Sequence, residues 1–148
     1  MTAALPRVDS ARLMELLSVS LAAYYGDFTV AAADENLTAS QGKTLNVLRR
    51  GPASMSTLAT TLTCDASNMT GIVDRLEKRG LVRREPSASD RRVKNVVLTA
   101  EGERVIDVIR GNMHRTLAGL DRLDEQERAT LGALLERVFT GQPAAARA

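Results

Sequence analysis

The 148-residue chain has no tryptophan, one histidine, one cysteine and four aromatic rings, Tyr24, Tyr25, Phe28 and Phe139. A single cysteine, Cys64, excludes an internal disulfide and points to a reducing, cytoplasmic setting. His114 and Cys64 alone cannot supply the imidazole and thiolate ligands of a metal site within one protomer, so no metal and no cofactor is expected. A Ser-His-Asp set would have to recruit His114 from a surface helix, without a nucleophile elbow or an evident oxyanion hole. The expectation is therefore a protein that is not an enzyme. No apolar run approaches the roughly 20 residues needed to span a bilayer. The start, Met1 to Arg7, lacks the charged and apolar regions of a signal peptide. No membrane partner is expected, and with so few rings the core must be built from Leu, Val, Ile, Met and Ala.

What is present is an uneven distribution of charge. The net charge is only +2, but Lys43 to Lys94 holds 11 basic and 5 acidic residues, a local +6. The remainder holds 9 basic and 13 acidic residues, a local −4. A basic middle between acidic ends suggests one surface for a polyanion and another for a different partner. The length suits a single domain over 1–148 with a core of ordinary size.

The pattern along the chain predicts α-α-α-α-β-β-α-α. A first helix runs from about Pro6 to Ala33, with Leu13, Leu16, Leu17, Leu21, Tyr24, Tyr25 and Phe28 at steps of three and four. Thr38 and Gln41 form a capping box for a second helix with Leu45 and Leu48 inward, ended by Gly51-Pro52. Ser54 caps a short helix, Met55 to Leu62, and Asp65 caps the next, Ala66 to Arg79, which stops at Gly80. That helix has an inward stripe of Ala66, Met69, Ile72, Val73 and Leu76. Its opposite face carries Ser67, Asn68, Gly71, Arg75 and Lys78.

Two β-prone segments follow, Leu81 to Arg84 and Lys94 to Leu98, joined by the polar hairpin Glu85 to Arg92. Thr99 then caps a helix with Glu101 and Glu103 in its first turn and Val105, Ile106, Ile109, Met113 and Leu117 on its apolar side. The last helix starts near Asp124 with Glu127 at its third position and runs through Leu131, Leu134, Leu135, Val138 and Phe139. A frayed tail is expected from Gln142 to Ala148.

Helix, turn, helix and basic hairpin in this order make a winged helix. Its second helix can lie in a major groove while the hairpin reaches the flanking minor groove. The winged region is expected over 37–100, with dimerisation helices at 6–34 and 101–140, because apolar terminal helices are simply satisfied by a twofold copy.

The chain resembles the MarR (multiple antibiotic resistance regulator) family of bacterial transcription factors. The resemblance is carried by Leu37-Thr38-Ala39-Ser40-Gln41, by Leu58 to Leu62 and by Val73-Asp74-Arg75-Leu76-Glu77-Lys78-Arg79-Gly80-Leu81-Val82-Arg83-Arg84. It continues in Asp90-Arg91-Arg92 and Leu98-Thr99-Ala100-Glu101-Gly102. It implies an obligate homodimer that binds a palindromic double-stranded operator and is often released by a small aromatic or phenolic effector, and the expected role is that of a repressor. It also implies that Arg92 is the wing-tip arginine of the minor groove and that Asp90 holds it; Arg91 occupies a variable position within reach of phosphate. On the helix it places base and backbone contacts on Ser67, Asn68, Thr70, Gly71 and Arg75. Gly71 departs from the family's common longer side chain, and glycine costs roughly 1 kcal/mol against alanine inside a helix.

By chemistry, Asn68 suits adenine and Arg75 suits guanine, each through two hydrogen bonds. A guanidinium such as that of Arg92 is drawn into a narrow A·T-rich minor groove. Tyr24, Tyr25 and Phe28 mark either core or a ligand cavity. Two alternatives stand beside the DNA reading. One is a winged helix that binds protein, and the other is redox sensing through Cys64, which lies beside a helix N-terminus.

Overall fold

The computed structural model describes residues 7–140, so the expected tail from Gln142 to Ala148 and the residues before Arg7 lie outside it. The chain divides into two compact units, Met1–Met113 and His114–Ala148.

The first unit opens with α1 (Ser10–Asp34), whose N-terminus is closed by Asp9 accepting from the Arg12 amide. By length and composition α1 is apolar enough to cross a membrane, which corrects the expectation that no such run exists. Only its C-terminal part is buried, at Phe28, Ala31 and Ala32. The leucines at 13, 16 and 21 are exposed, as is Tyr25. α2 (Ala39–Leu48) begins at the Thr38–Gln41 capping box, with both hydrogen bonds made, and buries Leu45 and Leu48. Gly42 lets α2 lie close on α1, since a Cβ there would stand 2.9 Å from the Phe28 ring.

Strand β1 (Ala53–Ser54) was not anticipated. Two residues carry no readable alternation, and Ser54 serves in addition as the cap of α3 (Met55–Thr61), accepting from the Thr57 amide. α4 (Ala66–Lys78), β2 (Val82–Pro86), β3 (Lys94–Leu98) and α5 (Ala100–Gly111) complete the unit. The strands form an antiparallel sheet in the order β1-β3-β2. β2 runs from Val82 opposite Leu98 to Pro86 opposite Lys94. Glu85 and Pro86 thus belong to the strand and not to the hairpin loop, and an edge strand tolerates the missing proline N–H.

The core draws on every helix of this unit, including the ends that the sequence assigns to dimerisation. Phe28 of α1, Leu45 of α2, Leu58 of α3, Leu76 of α4 and Ile106 of α5 are all essentially inaccessible. Burying a side chain of this size stabilises by about 1.5–3 kcal/mol.

The predicted long helix after Thr99 is interrupted at Asn112 and Met113, and a separate α6 (His114–Leu120) begins the second unit. Glycine and asparagine, both weak helix formers, end α5. Leu117 is exposed and does not extend the buried stripe of Val105, Ile106 and Ile109. In the second unit α7 (Glu125–Phe139) starts at an Asp124–Glu127 capping box. Leu131, Leu134, Leu135, Val138 and Phe139 along it are exposed.

Candidate nucleic-acid interface

The turn between α3 and α4 is tight. Thr63 adopts φ +51°, an uncommon conformation for a β-branched residue, and the Cys64 amide closes back on the Ala59 carbonyl at 2.9 Å. Asp65 then accepts from the Asn68 amide at 2.8 Å and starts α4. Met69, Ile72, Val73 and Leu76 face the core as expected. Ala66 does not: it is exposed, because it stands at the first helical position, before the stripe reaches the core.

Gly80 ends α4 with φ +71°, giving hydrogen bonds from Leu81 N–H to Leu76 and from Gly80 N–H to Glu77. The Gly-Leu pair is stitched to the start of α5. The Thr99 hydroxyl donates to the Gly80 carbonyl at 2.5 Å and accepts from the Gly102 amide. A Cβ on Gly102 would lie 1.9 Å from the Leu81 oxygen, so that position admits only glycine without backbone movement.

The outer face of α4 presents Ser67, Asn68, Thr70, Arg75 and Lys78 to solvent, with Gly71 half-buried. The Thr70 hydroxyl donates to the Ala66 carbonyl, leaving its oxygen lone pairs. No heavy atom lies within 4 Å of where a Gly71 Cβ would stand. At the wing tip Arg91 and Arg92 are exposed. Asp90 does touch Arg92, but through the backbone: its Oδ1 accepts from the Arg92 N–H at 2.9 Å, an Asx turn that shapes the tip.

The cations of α4 and the wing fall into two groups. Among the described residues, no ion pair or hydrogen bond engages the side chains of Arg75, Lys78, Arg91 or Arg92. Others are occupied. Arg79 donates to the Asn36 and Glu35 carbonyls at 2.8 and 3.0 Å, tying the end of α4 to the end of α1. Arg83 pairs with Glu85 at 3.3 Å. Arg84 meets Asp74 at 2.6 Å and also Glu77. Burial alone would push the Arg84 guanidinium pKa down. The hydrogen bond to Asp74 and the charge and hydrogen bond of Glu77 outweigh it and hold the value above the ordinary arginine range. These tethers join residues distant in sequence, and nothing in the local pattern announced them.

The aromatic residues separate. Tyr24 packs against Phe28, stacked at 6.4 Å between centroids, and edge-on against Tyr25 at 5.3 Å. Phe28 is buried core, while Tyr25 is partly exposed beneath the Lys43 ammonium, 4.2 Å from its ring centroid. Tyr25 and Phe28, without Tyr24, line a crevice of about 140 Å³ together with Lys43, Asn46, Val47 and Arg50, residues the sequence had not singled out for it. A larger open cleft of about 470 Å³ lies elsewhere, between Leu48, Val97 and Ile106, with Arg49 and Asp107 paired across its rim. It contains none of the expected ligand residues. Cys64 is half-buried, its Sγ 3.5 Å from the Asp65 carbonyl oxygen.

The family model that matches this chain is that of the MarR family, over residues 37–94. The chain is 39% identical over 83 residues to the HTH-type transcriptional repressor NicR of Pseudomonas putida, covering 55% of this chain and 52% of NicR. It is 36% identical over 107 residues to the HTH-type transcriptional regulator PecS of Dickeya dadantii, covering 69% of this chain and 64% of PecS. The match therefore spans between half and two-thirds of the length of these curated relatives. Among solved structures, apo wild-type MarR of E. coli aligns with a TM-score of 0.64 at 25% identity, covering 90% of this chain and 99% of the other. With the helix-turn-helix and the three-stranded sheet in place, residues 37–94 form a winged-helix region of the MarR family.

Proposed function

We propose that the protein is a cytoplasmic, homodimeric transcriptional repressor that binds a palindromic double-stranded operator and leaves it when a small aromatic or phenolic ligand binds. The observation that carries the DNA reading is the set of cations whose side chains have no partner among the described residues, Arg75 and Lys78 on α4 and Arg91 and Arg92 on the wing. A cation without an internal partner keeps its full charge for phosphate and its donors for base edges. In this reading Asn68 and Arg75 enter the major groove, Ser67, Thr70 and Lys78 meet backbone, and Gly71 allows close approach. Arg92 enters the minor groove, Asp90 shapes the turn that presents it, and Arg91 meets phosphate. NicR, a relative named as a repressor, supports the direction of control.

The dimer reading rests on the exposed apolar side chains of α1 and, separately, of α7. Exposed apolar side chains along a helix are satisfied by a second copy. The effector reading rests on the Tyr25–Phe28 crevice, where Lys43 and Arg50 favour an aromatic molecule bearing a carboxylate or phenolate.

The test is a duplex titration at rising salt. Counterion release makes the affinity of a protein with 6–10 phosphate contacts fall by about 10³–10⁵ between 50 and 200 mM salt. A salt-insensitive or absent interaction would favour the protein-binding alternative.

A further inference from the structure

Arg84 stands at the root of the wing, and its donors are turned towards α4. One Nη meets Asp74 Oδ1 at 2.6 Å and the other meets Glu77 Oε2. Its backbone N–H donates to Glu77 Oε1 at 3.2 Å. The strand order makes β2 an edge, and an outward N–H there has no strand partner. Glu77 supplies the acceptor, so side chain and backbone of one residue are both held by α4. The Arg84 side chain is 23% exposed, against 58% for its neighbour Arg83. Asp74 and Glu77 also alternate along α4 with Arg75 and Lys78, the cations assigned to DNA. Left unpaired, the two carboxylates would oppose a polyanion at that face.

We infer that Arg84 is a positioning residue for DNA binding: it locks the wing to α4, fixing the spacing between Arg75 and Arg92, and cancels the charge of Asp74 and Glu77. The inference rests on the DNA reading above. Arg84 is not a phosphate contact in this account, because its donors face the two carboxylates. Lysine cannot replace it fully, since a point charge lacks the fork that spans both partners.

The experiment is a double-mutant cycle on the full chain, read by affinity for a duplex selected by the wild type, with urea unfolding of each variant as the control. Arg84→Met and Arg92→Ala should each weaken binding by about tenfold, the scale of coupling within a contact network. The double variant should bind little worse than Arg84→Met alone, because an unanchored wing no longer delivers Arg92. Arg84→Lys should recover part of the loss. Independent, multiplicative losses overturn the inference while leaving the DNA reading intact.

A second arm holds if Arg84→Met does not fold. The paired change Asp74→Asn with Glu77→Gln removes two negative charges, so a diffuse-charge account expects tighter binding. The positioning account expects weaker binding and a smaller Arg92 contribution, and tighter binding overturns it. A wild-type chain that binds no duplex in a random pool removes the DNA reading and this inference with it.

Discussion

The wing carries two adjacent arginine pairs, Arg83-Arg84 at its root and Arg91-Arg92 at its tip, and the fold treats them in opposite ways. The root pair is engaged by Glu85, Asp74 and Glu77, whereas the tip pair is exposed and, among the described residues, engaged only through the Arg92 backbone. In sequence the two doublets look alike. What separates them is whether the fold brings a carboxylate within reach. A basic residue becomes scaffold when its charge is spent internally and remains available to a partner when it is not.

The largest expected effect lies beneath the root. Gly102→Ala would drive a Cβ into the Leu81 carbonyl, a backbone atom that cannot rotate away. It should lower stability by about 3 kcal/mol, the upper end of overpacking costs, measured by urea unfolding. If stability is unchanged, the stitch between Gly80-Leu81 and the start of α5 is looser than described.

At the tip, Arg92→Ala should leave the unfolding midpoint untouched and weaken operator binding by about 1–3 kcal/mol. Arg75→Ala should cost a similar amount and in addition relax preference at one base position. Unaltered discrimination among operator variants would make Arg75 a phosphate contact or a bystander.

Asp90→Ala should give a milder loss than Arg92→Ala, because it releases the turn that aims Arg92. Its sign is informative, since removing a negative charge near DNA should tighten binding if the hairpin acts only as a diffuse cationic arm. Gly71→Ala is the smallest. Nothing obstructs the new methyl, so the fold should gain up to about 1 kcal/mol while affinity falls if the helix sits close in the groove. Gain in stability with unchanged affinity would remove the close-approach role.

The sequence was most legible where the physics is local. Caps at Thr38, Ser54, Asp65, Thr99 and Asp124 all form, because each depends on a hydrogen bond three residues ahead. The inward stripe of α4 follows from helical period alone, failing only at Ala66, where the helix has barely begun. The tethers of Arg79 to Glu35 and Asn36, and of Arg84 to Asp74 and Glu77, depend on tertiary placement that periodicity does not encode. The same holds for Lys43 and Arg50 beside Tyr25, for the two-residue β1 and for the break at Asn112. The leucines of α1 show the converse limit: their spacing is helical, but period does not reveal whether the apolar side meets its own chain.

The contrast between root and tip is tested most directly by hydroxyl-radical footprinting of the wild type and Arg92→Ala on one selected operator. The wild type should protect two half-sites about one helical turn, roughly 10 base pairs, apart, with a minor-groove segment protected outside each. Arg92→Ala should lose both outer segments and keep the central protection. An unchanged footprint, or none for the wild type, would contradict the assignment of the tip to DNA.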